Sequence, residues 1–261
     1  MKKSTLKMMA MVVLVGLVAF GAKAVPTTDW VPSGSMTMMV QTKNIHPTIS
    51  FDKYDKPQAM VDGWLNLPQG FAAELIEYAG LNNADLDGDK GDEFDACLWK
   101  KIILPNSGYL KFRLKWCDGY PVGTGNGNDV LAYDVFLGRK WKCDERNAVG
   151  AEIRVEYWNY VRDANNGMVS IIPSVTHEYR LGEAVGFLAY DRLSLQWNNE
   201  MAPFSELLSG QAQCGIKIPL SKSLQWNAVD VTGVIPLGDA GPKDPRQGGV
   251  ISIAMAVTGN F

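Results

Sequence analysis

Apolar and polar residues alternate with a period of two over much of this chain, and no other feature constrains its fold as strongly. Residues 109–116 put Leu110, Phe112, Leu114 and Trp116 on one side and Lys111, Arg113 and Lys115 on the other. Residues 151–158 alternate in the same way, with Glu152, Arg154 and Glu156 between apolar neighbours. A strand points successive side chains to opposite faces, so this pattern predicts strands with one buried and one solvated face. Further strands are expected at 36–41, 130–137, 168–172, 185–197, 215–220, 228–235 and 250–257. The connectors hold turn formers: Gly123, Gly125, Asn126, Gly127 and Asn128 in one, Pro242 and Pro245 in another. Pro105-Asn106-Ser107-Gly108 reads as a tight turn at the centre of a hairpin.

Helical signal is scarce. Residues 71–78 fit a short helix ending at Gly80 or a strand, and 203–208 fit another short helix. Many strands at short intervals predict an all-β fold, a jelly-roll-like β-sandwich with one or two short helices. No internal repeat of fixed period stands out.

The first 24 residues read as a secretory signal peptide. Lys2 and Lys3 precede an apolar run from Met8 to Phe20, and Ala22-Lys23-Ala24 supplies the small residues of a cleavage site. An uncleaved N-terminal anchor is the alternative, weakened by the shortness of the run. No later stretch approaches 18 apolar residues, so the chain after Ala24 is expected to be soluble or surface-attached, without a membrane span. Four lysines leave with the signal, giving 25 − 4 = 21 basic against 28 acidic residues, or −7. That balance, with no basic run, argues against nucleic acid as a partner.

Cys97, Cys117, Cys143 and Cys214 are an even set, which in an exported protein points to two disulfides. No CxxC pair suggests zinc. A hairpin about 105–108 would set Cys97 almost opposite Cys117, so the pairing Cys97–Cys117 is favoured and leaves Cys143–Cys214.

The most chemical stretch is 82–93, with Asn83, Asp85, Asp87, Asp89, Asp92 and Glu93 as candidate calcium ligands. Alternate carboxylates with Gly88 at the bend resemble the first half of an EF-hand loop. The second half departs from it: Phe94 stands where the bidentate Glu belongs, and a solvated acidic loop is the alternative. His46 and His177 are the only histidines; HExxH and Gly-x-Ser-x-Gly are both absent, and Ser33-Gly34-Ser35 has no base nearby in sequence. Glu152, Glu156 and Asp191 could pair as glycosidase carboxylates but read better as the solvated face of a sheet. Eight tryptophans, among them Trp99, Trp116, Trp141, Trp158, Trp197 and Trp226, would stack on sugars if exposed and form core if buried.

Residues 25–40, with Gly34-Ser35-Met36-Thr37-Met38-Met39-Val40 ten residues after the cleavage site, resemble the start of TasA/camelysin-family proteins. Residues 247–257 resemble that family's closing Gln-Gly and alternating strand, although Met replaces Leu in the first motif and the chain ends Thr258-Gly259-Asn260-Phe261. The resemblance implies a jelly-roll that polymerises by donating its N-terminal segment, here 25–41, to the open sheet of the next subunit, with 42–261 as the single domain. Met36, Met38 and Val40 would then enter a neighbour's core. The protease activity ascribed to some camelysin-like members is not carried over, because no metal-protease motif is present. The expected function is therefore a secreted, extracellular or cell-surface structural protein, self-associating into filaments or biofilm matrix. The alternatives are a calcium-dependent carbohydrate-binding module and a secreted hydrolase.

Overall fold

A computed structural model describes residues 32–46, 50–54, 57–81, 93–119, 129–160, 168–181, 187–198, 207–237 and 249–261. These form a closed antiparallel barrel of twelve strands. The barrel strands are β1 (Ser33–Gln41), β4 (Gln58–Asn66), β5 (Phe71–Gly80), β6 (Glu93–Ile103), β7 (Gly108–Gly119), β8 (Val130–Lys142), β9 (Asn147–Tyr160), β10 (Met168–Leu181), β11 (Phe187–Asn198), β12 (Leu207–Pro219), β13 (Leu224–Pro236) and β14 (Val250–Asn260). Each pairs with its sequence neighbour, and β1 closes the ring between β14 and β4. A separate two-stranded hairpin, β2 (Asn44–His46) and β3 (Ser50–Tyr54), lies in the connection from β1 to β4.

The strands follow the alternation, but the architecture is not the expected jelly-roll sandwich. A sandwich buries its apolar face between two sheets; here one sheet curls until its edges meet. Residues 71–78 realise their strand alternative, within β5. Of 203–208, residues 203–206 lie outside the described set, and Leu207 and Leu208 begin β12.

The ring closes along a ladder of seven residue pairs between β1 and β14, which ends in a close approach of the two strands. Gly34 N–H donates to Phe261 O at 3.0 Å, and Phe261 N–H donates back to Gly34 O at 3.1 Å. A β-carbon on Gly34 would collide with the Trp64 carbonyl and the Phe261 ring, so only glycine lets three chain segments approach there. β1 is thus a strand of its own barrel. That overturns the donor-strand expectation: Met36, Met38 and Val40 are 51%, 60% and 48% exposed on the outer wall, not aimed at a neighbour's core.

The two ends of the barrel differ. At one end lie the start of β1, the end of β14 and the tight connections. Pro105 to Gly108 forms the expected turn, with Asn106 and Ser107 at φ 57° and 62° and Gly108 N–H donating to Pro105 O at 3.2 Å. Positive φ at both central residues is the hairpin turn whose twist matches the strands. Residues 143–146 and 220–223 close two more hairpins there, with Cys143 N–H to Asn147 O at 2.9 Å and Leu220 N–H to Leu224 O at 2.8 Å. The longer connections, including 81–92, 120–129 and 237–249, join strands at the opposite end.

The barrel lumen as candidate functional site

β8 shows how the strand pattern is used. Ala132, Asp134 and Phe136 are 0%, 2% and 6% exposed, while Tyr133, Val135 and Leu137 between them are 46%, 42% and 51% exposed. Val135 and Leu137 point out, and Asp134 points in beside Ala132 and Phe136. On β7 the same holds for Arg113 and Lys115 against Phe112, so the orientation read from the alternation is inverted. Glu156, expected on a solvated face, is fully buried in the barrel.

Inside, β6–β9 carry a connected ionic network. Lys115 Nζ lies 2.8 Å from Asp95 Oδ2. Arg113 bonds Asp134 and lies 3.6 Å from Glu156. Arg154 bonds Glu156 and lies 3.4 Å from Asp134, so two guanidiniums and two carboxylates neutralise one another. Nearer the turn end, Glu152 accepts from Tyr109 at 2.8 Å and pairs with Lys111 at 2.9 Å. Ring centroids of Trp64, Trp99 and Phe136 follow at 5.5 Å steps along this wall. Their faces hold cations: Arg113 over Trp99, and Lys111 and Arg154 over Phe136. A lumenal cavity of about 190 Å³ near the turn end is lined by Tyr109, Glu152, Ser174, Thr176, Glu178 and Arg192.

The tryptophans divide between the faces. Trp99 and Trp158 belong to the lumen wall. Trp116 and Trp197 fall on outward register positions towards the long-connector end, while Trp141 and Trp226 are exposed at the turn end. Tyr133 and Tyr157 join Trp116 and Trp197 on the outer face, their rings 6.3 Å apart. Outward aromatics flanking an aliphatic band are the layout of a barrel that crosses a bilayer. No helix among the described residues is long and apolar enough to cross a membrane, which does not bear on crossing by strands.

The other expected site residues are dispersed. Asn83, Asp85, Asp87, Asp89 and Asp92 lie outside the described residues. Glu93 is buried at the start of β6, where ligand atoms of Glu93, Asp95 and Cys117 fall within 4.8 Å of one another. A thiol in the set and the Lys115 ammonium already on Asp95 fit poorly with calcium, which takes oxygen ligands only. None of the four cysteines is joined in a disulfide. The pairing Cys97–Cys117 fails on register: Cys97 faces Lys115 and Cys117 faces Asp95, two residues apart along the hairpin. Cys143 sits by a turn and Cys214 on the exposed face of β12, so Cys143–Cys214 is not formed either. His46 belongs to β2. His177 faces outward beside Asp191, 3.5 Å away, and Asn147, 3.1 Å away.

No family model and no curated protein matches the chain. Solved structures do. The chain is similar to a bacterial polysaccharide outer membrane secretin, with TM-score 0.55 and 8% identity over 88% of this chain and 98% of that one. It is similar to the NanC porin, with TM-score 0.55 and 6% identity over 87% and 98%. It is also similar to an outer membrane channel of Pseudomonas putida F1, with TM-score 0.51 and 13% identity over 89% and 97%. At such identities the likeness establishes the fold alone: the closed barrel of bacterial outer membrane proteins. The expectations of a filament subunit and of self-association give way to this fold. The carbohydrate-binding module, the secreted hydrolase and a mature chain without membrane-crossing segments find no support in it. A free extracellular protein finds no support in it.

Proposed function

We propose that the chain is an outer-membrane channel that passes small hydrophilic solutes along its lumen. The observation that carries this reading is the reversal of faces: aliphatic residues outward on every side, ion pairs, hydroxyls and amides inward. A barrel of this kind meets hydrocarbon with its outer wall and water or solute with its inner one. Each barrel strand has 9 to 14 residues, enough for a tilted strand to span the apolar layer. The signal-like start is the address that export to such a membrane requires. Short turns at the end with the β1 start, and long connections opposite, match the periplasmic and extracellular ends of such barrels. A passive, non-enzymatic role is supported by the lumen, where the carboxylates Asp95, Asp134, Glu152 and Glu156 are each paired with a cation. The test is conductance across a planar lipid bilayer after insertion of the folded chain. Stepwise current increments are expected; inserted, heat-modifiable barrel without any increments would overturn the channel.

A further inference from the structure

The outer wall is not evenly convex. A groove of about 1300 Å³ crosses it from β8 to β14, lined almost wholly by aliphatic side chains. Its course follows one register row: Arg139, Ala151, Val175, Leu193, Ala212 and Gly233 stand opposite one another on six successive strands. Ala151, Ala212 and Gly233 have little or no side chain, and Gly210 adds a further gap beside Ala212. The row starts three residues from the turn-side end of β8 (142 − 139) and reaches three residues from the long-connector end of β13 (236 − 233). It therefore runs obliquely across the aliphatic band, about 24 Å over five strand spacings.

Its turn-side end is cationic. Arg139 lines the groove with its guanidinium 5.2 Å from the Trp141 ring centroid, and Trp141 lines the groove as well. Among the described residues Arg139 has no carboxylate partner. An aliphatic trough ending in an unneutralised guanidinium beside an indole matches one class of ligand: acyl chains joined to an anionic headgroup at the membrane interface.

We infer that this groove is a binding site for an anionic phospholipid, with its acyl chains over Ala212 and Gly233 and its phosphate at Arg139. The inference rests on the membrane-embedded reading above, but not on conduction. A β-carbon at Gly233 meets nothing within 4 Å, so Gly233→Phe fills the trough without disturbing the sheet. The test measures lipid retained by the purified, folded full-length barrel after exchange through detergent, using dioleoylphosphatidylglycerol or dioleoylphosphatidylcholine vesicles. The wild type should hold phosphatidylglycerol with about fivefold preference, the weight of one basic residue at an anionic surface. Arg139→Gln should remove the preference while keeping chain binding, and Gly233→Phe should lose retained lipid of both kinds. Heat-modifiable mobility checks folding in each variant. Equal retention by wild type and Gly233→Phe would overturn the site, as would a wild type that buries the groove in a dimer. A barrel that binds lipid this way yet never conducts would remove the channel and leave the site; one that fails to enter vesicles removes both.

Discussion

The two halves of the lumen wall solve the same problem differently. Between β6 and β9 the inward positions carry full charges and large rings, locked together as Lys115–Asp95, Lys111–Glu152 and the Arg113, Arg154, Asp134, Glu156 quartet. From β10 to β14 they carry mainly small hydroxyls and amides: Ser170, Ser174, Ser194, Gln196, Ser209 and Ser252 are all buried. An ion taken out of bulk water is tolerated only while its counter-ion stays in place, whereas a serine hydroxyl is cheap to desolvate and cheap to lose. The ionic wall is therefore rigid and intolerant. The hydroxyl wall can change without harm to the fold.

The sharpest way to break that distinction is to remove one member of the quartet. Glu156→Gln leaves Arg113 and Arg154 facing a single carboxylate, and loss of one partner of a buried ion pair costs about 3–5 kcal/mol. Ser194→Ala removes only a hydroxyl lying 3.5 Å from Gln211 Oε1 and should cost about 1 kcal/mol or less. Urea midpoints of the barrel in vesicles read both. Adding Arg154→Gln to Glu156→Gln should recover much of the loss, because it restores neutrality. Equal costs for Glu156→Gln and Ser194→Ala would erase the contrast between the walls.

The contrast should vanish on the outside. Val155 on β9 and Leu193 on β11 are both exposed, at 40% and 65%, over the ionic and the hydroxyl wall respectively. In hydrocarbon, an arginine at the middle of the band costs about 2–4 kcal/mol wherever it stands on the circumference. Val155→Arg and Leu193→Arg should therefore lower insertion yield and stability alike. Tolerance of Leu193→Arg alone would show that the β10–β14 side does not face lipid.

This inside-out arrangement explains what the sequence discloses. Strand positions and the Pro105–Gly108 turn are legible, because alternation and turn chemistry act locally. Which face is buried is not local. Lys111, Arg113 and Lys115 look like a solvated edge when water is assumed to lie outside, yet they line an interior. Counting 18 consecutive apolar residues tests for helices and is blind to strands that cross with every second residue. The missed signal was collective. Most strands carry polar groups on one parity, and tight connectors near 105, 144 and 221 alternate with long ones. Those features describe an even-numbered barrel better than a sandwich. The ion pairs themselves were out of reach, since each depends on register between strands. Cys97 and Cys117 show how far two residues of register matter.

The smallest expected effect compares two turns, one on each wall. At 143–146, Asp144 accepts from the Asn147 side chain at 2.6 Å and from the backbone N–H groups of Arg146 and Asn147, each at 2.7 Å. At 220–223, Ser221 Oγ accepts from Ser223 N–H at 3.2 Å. The bond from Asn147, then those from the two backbone amides, hold the Asp144 carboxyl below its ordinary range. A group whose folded pKa is depressed lends stability that is present above its unfolded value and lost as pH falls through the folded one. Acidification should therefore loosen the 143–146 turn below the usual carboxylate range and leave the 220–223 turn unchanged. Amide proton shifts of Arg146, Asn147 and Ser223 in detergent-solubilised barrel follow this directly. The first two should move together along one titration curve that Asp144→Asn abolishes, and Ser223 should stay flat. Because Asp144 is fully exposed, solvent screens its charge, and the turn should loosen without a measurable shift in the unfolding of the barrel as a whole. A drop in global stability that tracks this carboxyl would instead mean that the turn clamps the ionic wall.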